Sequence, residues 1–345
     1  MRPCDCLLQR IAAVGEDRLP GNLPAVSHQE FYDRHDGKGC VTLYHTLPLV
    51  GRTGMRQLCA IAALAALLIA STLASAGKPT AVLAAENFYG DIAQQIGGPD
   101  VKVISILTNP DQDPHLFEAS PSVARALSAA RIVIYNGLDY DPWMAKLLSA
   151  VANSDRAAIN VGELVGKRPG DNPHIWYDPN TVLALAARLA DELSVADPAH
   201  QADYRQRLAQ FRRSLEPIQE QIAALRARLA GTPVAATEPV FNYLLDAIGM
   251  QIHGRRFQLA VMNDTEPGAS DVVTFEKDLE SHRVRMLVYN SQASDPTVER
   301  MVKLARAAHI PVVAVTETEP PGKNYQEWLS SELDAVDQSL PKQQP

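Results

Sequence analysis

The stretch YRQRLAQFRRSLEPIQEQIAALRARL, residues 204–229, decides how the chain is organised. Tyr204, Leu208, Phe211, Leu215, Ile218, Ile222, Leu225 and Leu229 step by three and four, the spacing that lines one face of an α-helix. The period predicts a single helix over 198–229, ended by Gly231-Thr232-Pro233. A modest kink is expected at Pro217, which has no backbone N–H to donate. At about 1.5 Å per residue the helix runs roughly 45 Å, more than the width of a small domain. It reads as a spine whose apolar side packs on two bodies. The same period would also serve a coiled-coil dimer.

On both sides of the spine, short apolar runs alternate with helical patterns. Before it, residues 80–85, 101–107 (VKVISIL), 131–136 (RIVIYN) and 158–161 read as strands, and 88–96, 121–130, 141–152 and 181–193 as helices. After it, strands are predicted over 233–237, 285–290 (RMLVYN) and 311–315 (PVVAV), and helices over 240–248, 271–281, 296–308 and 325–336. Residues 251–252 open an extended stretch. Such alternation argues for parallel sheets covered by helices. The expected fold is α/β with two lobes: an N-terminal lobe over 77–197, a linking helix over 198–230 and a C-terminal lobe over 231–345.

All four cysteines, Cys4, Cys6, Cys40 and Cys59, lie in the first 76 residues. There Met55-Arg56-Gln57, an apolar run over 58–70 and Ala74-Ser75-Ala76 form a secretion signal over 55–76. The run is shorter than the roughly 20 residues a membrane-spanning helix needs. Export is expected, with Gly77 as the first mature residue. Residues 1–54 show no sustained period and read as an over-translated or disordered leader, with Met55 the true start, or as a long leader removed with the signal. Beyond Cys59 the absence of cysteine excludes disulfides, Cys–zinc sites and thiol nucleophiles. A net charge of −8 without a basic stripe argues against nucleic acid. Neither a glycine-rich phosphate loop nor a Gly-x-Ser-x-Gly elbow occurs.

In open α/β sheets, ligands bind beyond the carboxyl ends of the strands. The loops there carry His115 (in TNPDQDPHLFE), His174 (in DNPHIWYDP), Glu238 after PVAAT, and Glu317 or Glu319 after PVVAV. Imidazole and carboxylate together suit Zn²⁺, Mn²⁺ or Fe²⁺ better than Ca²⁺ or Mg²⁺. Four protein ligands close a tetrahedral site, which carries metal and leaves no position for a substrate water. Each residue also has a plainer reading. The Pro-His pairs are turns, Glu238 caps a helix, and Glu317 and Glu319 are solvated. Glu118 and Asp178 read as supports for the histidines or as helix starts, and His200, His253, His282 and His309 as surface residues.

The stretches NPDQDPHLFEAS, IYNGLDYDPWM, NPHIWYDP, TEPVFNYLLDAIG and IPVVAVTETEPPGKNYQEWL occur in one order from Lys78 to about Val336. In them the chain resembles the periplasmic solute-binding proteins of zinc and manganese ABC transporters, the cluster A-I metal-binding group. The resemblance implies two α/β lobes joined by one long rigid helix. It also implies metal ligands at His115, His174, Glu238 and Glu317, with Glu319 fitting the last place nearly as well. The implied role is capture of a divalent metal ion as cargo, without catalysis, and its delivery to the membrane permease of an ABC transporter. The protein is expected to be a periplasmic monomer. Many zinc-handling members carry a third histidine at the position of Glu238 and a His-rich loop between the first two ligands. This chain has neither, which tilts the expected metal from zinc towards manganese or iron. The alternatives are a metal-dependent hydrolase with an open metal site, and a surface adhesin.

Overall fold

The computed structural model describes residues 78–109, 117–293 and 295–340. The leader over 1–54, the signal segment over 55–76 and His115 lie outside the described residues.

Strand β1 (Thr80–Glu86) pairs with β2 (Val101–Leu107) on one side and β3 (Ile132–Tyr135) on the other, and β3 pairs with β4 (Ala157–Asn160). All pairs are parallel, in the order β2-β1-β3-β4. Helices α1 (Asn87–Gly97), α2 (Pro121–Ala129), α3 (Pro142–Ala150), α4 (Val161–Leu164) and α5 (Pro179–Ala196) connect and cover them. After α6 (Gln201–Ser214) and α7 (Glu216–Leu229), strands β5 (Pro233–Ala236), β6 (Gln251–His253), β7 (Leu287–Asn290) and β8 (Val312–Val315) repeat the arrangement in the order β6-β5-β7-β8. Helices α8 (Asn242–Ile248), α9 (Arg255–Met262), α10 (Ala269–Glu280), α11 (Pro296–Ala307) and α12 (Tyr325–Ser339) complete the second lobe. Central strands covered on both faces need continuous apolar runs. Val82 to Ala85 and Ile132 to Ile134 are buried accordingly.

In each sheet the strand order reverses between two neighbours, β1 and β3 in one and β5 and β7 in the other. Crevices beyond the carboxyl ends of such strand pairs are where open α/β sheets bind ligands. Glu86 ends β1 and Asn136 follows β3. Glu238 follows β5 by two residues and Asn290 ends β7.

The spine departs from the expected single helix. A turn at Leu215 (φ −90°, ψ −12°) separates α6 from α7. Pro217 cannot donate to the Arg213 carbonyl, and the Leu215 N–H bonds to Arg212 and Arg213 instead of continuing the α-helical ladder. The apolar face survives the break: Tyr204, Phe211, Leu215, Ile218, Leu225 and Leu229 are all buried. Helix α6 docks on the first lobe, where Arg207 reaches the Gly97 carbonyl (2.6 Å) and Asp100 (2.8 Å). Helix α7 docks on α12 through Gln221 with Asp334 (2.6 Å) and Arg228 with Asp337. The heptad face is thus consumed inside the chain and is not left for a coiled-coil partner.

A second departure follows β6. The stretch expected to be extended turns at Gly254 (φ +74°) and enters α9. A Cβ at Gly254 would stand 2.6 Å from the Phe275 ring, so the turn needs glycine twice over. Among the described residues no helix is long and apolar enough to cross a membrane.

One apolar cluster spans both lobes, beside a smaller cluster within each. Phe88 of α1 stacks on Trp176 (4.6 Å between ring centroids), and Tyr177 meets Phe241 (5.1 Å) and Trp328 (5.3 Å) of the second lobe. A continuous apolar interface of this kind opposes wide hinge opening.

Candidate metal centre

Ladder bonds position the second lobe's carboxylates. Thr237 N–H donates to Val288 (3.0 Å), extending the β5–β7 pairing to the residue before Glu238. Glu238 is 9% exposed, and its Oε1 has no hydrogen-bond partner among the described residues. Burial pushes its carboxyl up to about 8, and the nearby charge of Glu317 adds to the shift. No Lys or Arg forms an ion pair with Glu238 among the described residues.

Glu317 follows β8. Gln292 Oε1 accepts from the backbone N–H groups of Glu317 (2.6 Å) and Thr318 (3.0 Å). One residue earlier, Thr316 N–H donates to Glu332 (2.8 Å), and the Tyr177 hydroxyl of the first lobe lies within hydrogen-bond distance of both the Thr316 carbonyl (2.5 Å) and Glu332 (2.6 Å). Asn290 Nδ2 donates to Glu317 Oε2 (2.9 Å) and lies 3.5 Å from Glu238 Oε2.

The first lobe presents His174, which is 1% exposed. Its Nε2 lies 3.4 Å from Glu317 Oε1. Its Nδ1 lies 2.6 Å from Asn172 Oδ1. The Asn172 amide nitrogen already donates to Pro239 (2.8 Å), so its oxygen must accept, and the hydrogen is assigned to Nδ1. That tautomer leaves the Nε2 lone pair facing Glu317, as a metal ligand requires. Asn136 holds the turn: its Nδ2 donates to the Pro173 carbonyl (3.0 Å) and its Oδ1 accepts from Tyr89 (2.6 Å). Tyr140 and Trp176 wall the imidazole at 6.0 and 5.2 Å between centroids. Burial, with the nearby negative charge of Glu317, raises the Tyr140 pKa well above the usual value.

Of the predicted residues, the structure brings His174, Glu238 and Glu317 into one neighbourhood. Among the described residues no three His, Cys, Asp or Glu groups already stand close enough to hold a metal unaided. His115 lies outside the described residues. Glu319 points elsewhere. Its backbone exchanges hydrogen bonds with the Asn87 side chain (2.7 and 3.3 Å), and burial raises its carboxyl to about 9, with Asp91 and Glu327 adding to the shift. Asp178 is a helix start, accepting from Asn180 N–H (2.9 Å) at the head of α5. Glu118 is exposed. Asn172, Asn290 and Gln292 were not anticipated; the only sequence signal for Asn290 is its place at the end of β7.

A family model described as "Zinc-uptake complex component A periplasmic" matches residues 82–339. The manganese ABC transporter substrate-binding lipoprotein PsaA of Streptococcus mitis is 23% identical over 287 residues, covering 78% of this chain and 92% of its own. The iron-binding protein YfeA of Yersinia pestis is 24% identical over 225 residues, covering 62% and 70%. Among solved structures, the periplasmic zinc-binding protein TroA of Treponema pallidum superposes with a TM-score of 0.65 at 19% identity, covering 77% of this chain and all of that one. That likeness supports the two-lobed fold.

Proposed function

From its membership of the family of periplasmic zinc-uptake components, to which this chain belongs, we propose that it captures one divalent transition-metal ion between its lobes and delivers it to the permease of an ABC transporter. The family is one of transport solute-binding proteins, not of enzymes. The proposed ligands are His174 and His115 from the first lobe and Glu238 and Glu317 from the second. The observation that carries the reading is His174 Nε2 at 3.4 Å from Glu317, with the buried Glu238 linked to Glu317 through the Asn290 amide. A buried carboxylate without a cationic partner is costly, and a divalent ion on these oxygens and on His174 Nε2 would remove that cost.

Relatives are named for manganese, zinc and iron. Two imidazoles with two carboxylates suit any of the three, and intrinsic affinity favours Zn²⁺ over Mn²⁺. The proposal includes export through residues 55–76, action in the periplasm as a monomer, and docking of both lobes on the permease. Because the lobes share a core, release follows small tilts that withdraw a carboxylate of the second lobe.

Titration of the metal-free protein with Zn²⁺ and Mn²⁺, beside His174→Ala and Glu238→Ala, tests the reading. Saturation at about one equivalent, weakened by each substitution, is expected of a closed four-ligand site. Equal binding by all three proteins would remove the assignment.

A further inference from the structure

Asn172 touches both halves of the candidate centre. Its Oδ1 accepts from His174 twice, from the backbone N–H (3.2 Å) and from Nδ1 (2.6 Å). Its Nδ2 crosses to the second lobe and donates to the Pro239 carbonyl (2.8 Å), one residue from Glu238. The Asn172 carbonyl accepts from the Tyr243 hydroxyl (2.9 Å), also of the second lobe. The bonds of its side-chain amide and of its backbone carbonyl thus run either to a proposed ligand or to the other lobe.

A turn-forming asparagine needs only its oxygen, bonded to the backbone two residues on. The Pro239 and Tyr243 contacts go beyond that need, since they join segments 67 and 71 residues away. An amide is planar, so fixing its nitrogen on Pro239 also fixes where its oxygen points. That oxygen fixes the plane and tautomer of His174. Partners of this kind, one bond behind a metal ligand, commonly alter affinity when they are removed.

We infer that Asn172 is a positioning residue that couples His174 to the docking of the second lobe. While the lobes are together, Pro239 holds the side-chain amide, Tyr243 holds the backbone that carries it, and the amide holds the imidazole. When the lobes tilt apart, both contacts to Asn172 are lost, the amide rotates freely, and His174 loses its fixed orientation as Glu238 withdraws. Release is then concerted: ligands from both lobes leave in one motion although the spine permits little opening. This rests on the metal-capture reading.

The test measures Zn²⁺ release into an excess of chelator by stopped flow, together with the association rate, for the wild type, Asn172→Ala, Tyr243→Phe and the double variant. Tyr243→Phe leaves the His174 partner intact and removes only a bond between lobes. It is expected to speed release between about twofold and tenfold, the worth of one neutral hydrogen bond, with association unchanged. Asn172→Ala is expected to weaken binding by roughly 10- to 100-fold. In the double variant the two effects should combine to less than their product, because the Tyr243 bond to the Asn172 backbone reaches the imidazole only through the Asn172 side chain. Release by Tyr243→Phe at the wild-type rate, or effects that multiply in the double variant, would overturn the coupling while leaving metal capture standing. A wild type that takes up no Zn²⁺ would overturn both.

Discussion

Asn290 donates to Glu317 at 2.9 Å, and the same amide nitrogen lies 3.5 Å from Glu238. One neutral side chain thus bridges the two carboxyl groups. Asn290 is itself buried, at 2% exposure, and its oxygen accepts from Gln292 N–H (3.0 Å), which fixes the amide's orientation.

Replacing Asn290 by Ala should let the carboxylates separate. Metal affinity is expected to fall roughly 10- to 100-fold, the usual effect of losing a group that orients a ligand. Competition with a chelating dye reads this directly. An unchanged Kd would show that the bridge is incidental.

Metal uptake should release a proton near neutral pH. Glu238 is raised to about 8 in the metal-free protein by burial and by Glu317. It is therefore largely protonated at pH 7 and must ionise to bind a cation. Calorimetric titration in buffers of different ionisation enthalpy should report the proton, and Glu238→Gln should abolish its release. A buffer-independent enthalpy for the wild type would count against Glu238 as a ligand.

The metal-free protein should lose stability as pH rises. Asp141 is raised to about 6, Glu332 to about 7, Glu238 to about 8 and Glu319 to about 9, in each case chiefly by burial. A carboxyl raised in the folded state binds its proton more tightly there than in the unfolded chain. Its contribution is fully present below the unfolded pKa, near 4, and is lost as pH rises through the folded value. The Tm of the metal-free protein should therefore fall between about pH 5 and 9. Glu319→Gln should flatten the alkaline part of that fall and leave metal affinity unchanged. A Tm that climbs over this range would contradict the buried acids.

The two sheets should unfold together. Trp176→Ala removes a side chain from the core common to both lobes, with a cost of about 3–5 kcal/mol. Denaturation should show one transition before and after the substitution. Two separable transitions would mean that the shared cluster does not couple the lobes.

Much of this arrangement is legible in the sequence. Strands β1, β3, β5 and β7 are mostly buried along their lengths, so they appear as unbroken apolar runs. His174 and Glu238 stand out because they directly follow such runs or their loops. The break at Leu215 is marked only by Pro217, because the three-and-four spacing continues through a one-residue turn. Helix α9 is hidden behind Gly254, whose turn resembles any loop. Glu317 and Glu319 differ by two residues and carry the same charge; the Gln292 and Asn87 bonds to their backbones set them apart. Asn172 and Asn290 are neutral amides, and their partners across the centre lie 27 to 71 residues away. No charge pattern or period marks such residues.

The central claim is that the cleft carries a metal ion. Elemental analysis of the purified protein, beside the His115→Ala/His174→Ala double variant, tests it most directly. The expected result is about one equivalent of manganese, iron or zinc in the wild type and none in the variant, as a closed site with two imidazole ligands requires. A wild type without bound metal, and without a thermal shift on adding Zn²⁺ or Mn²⁺, would contradict it.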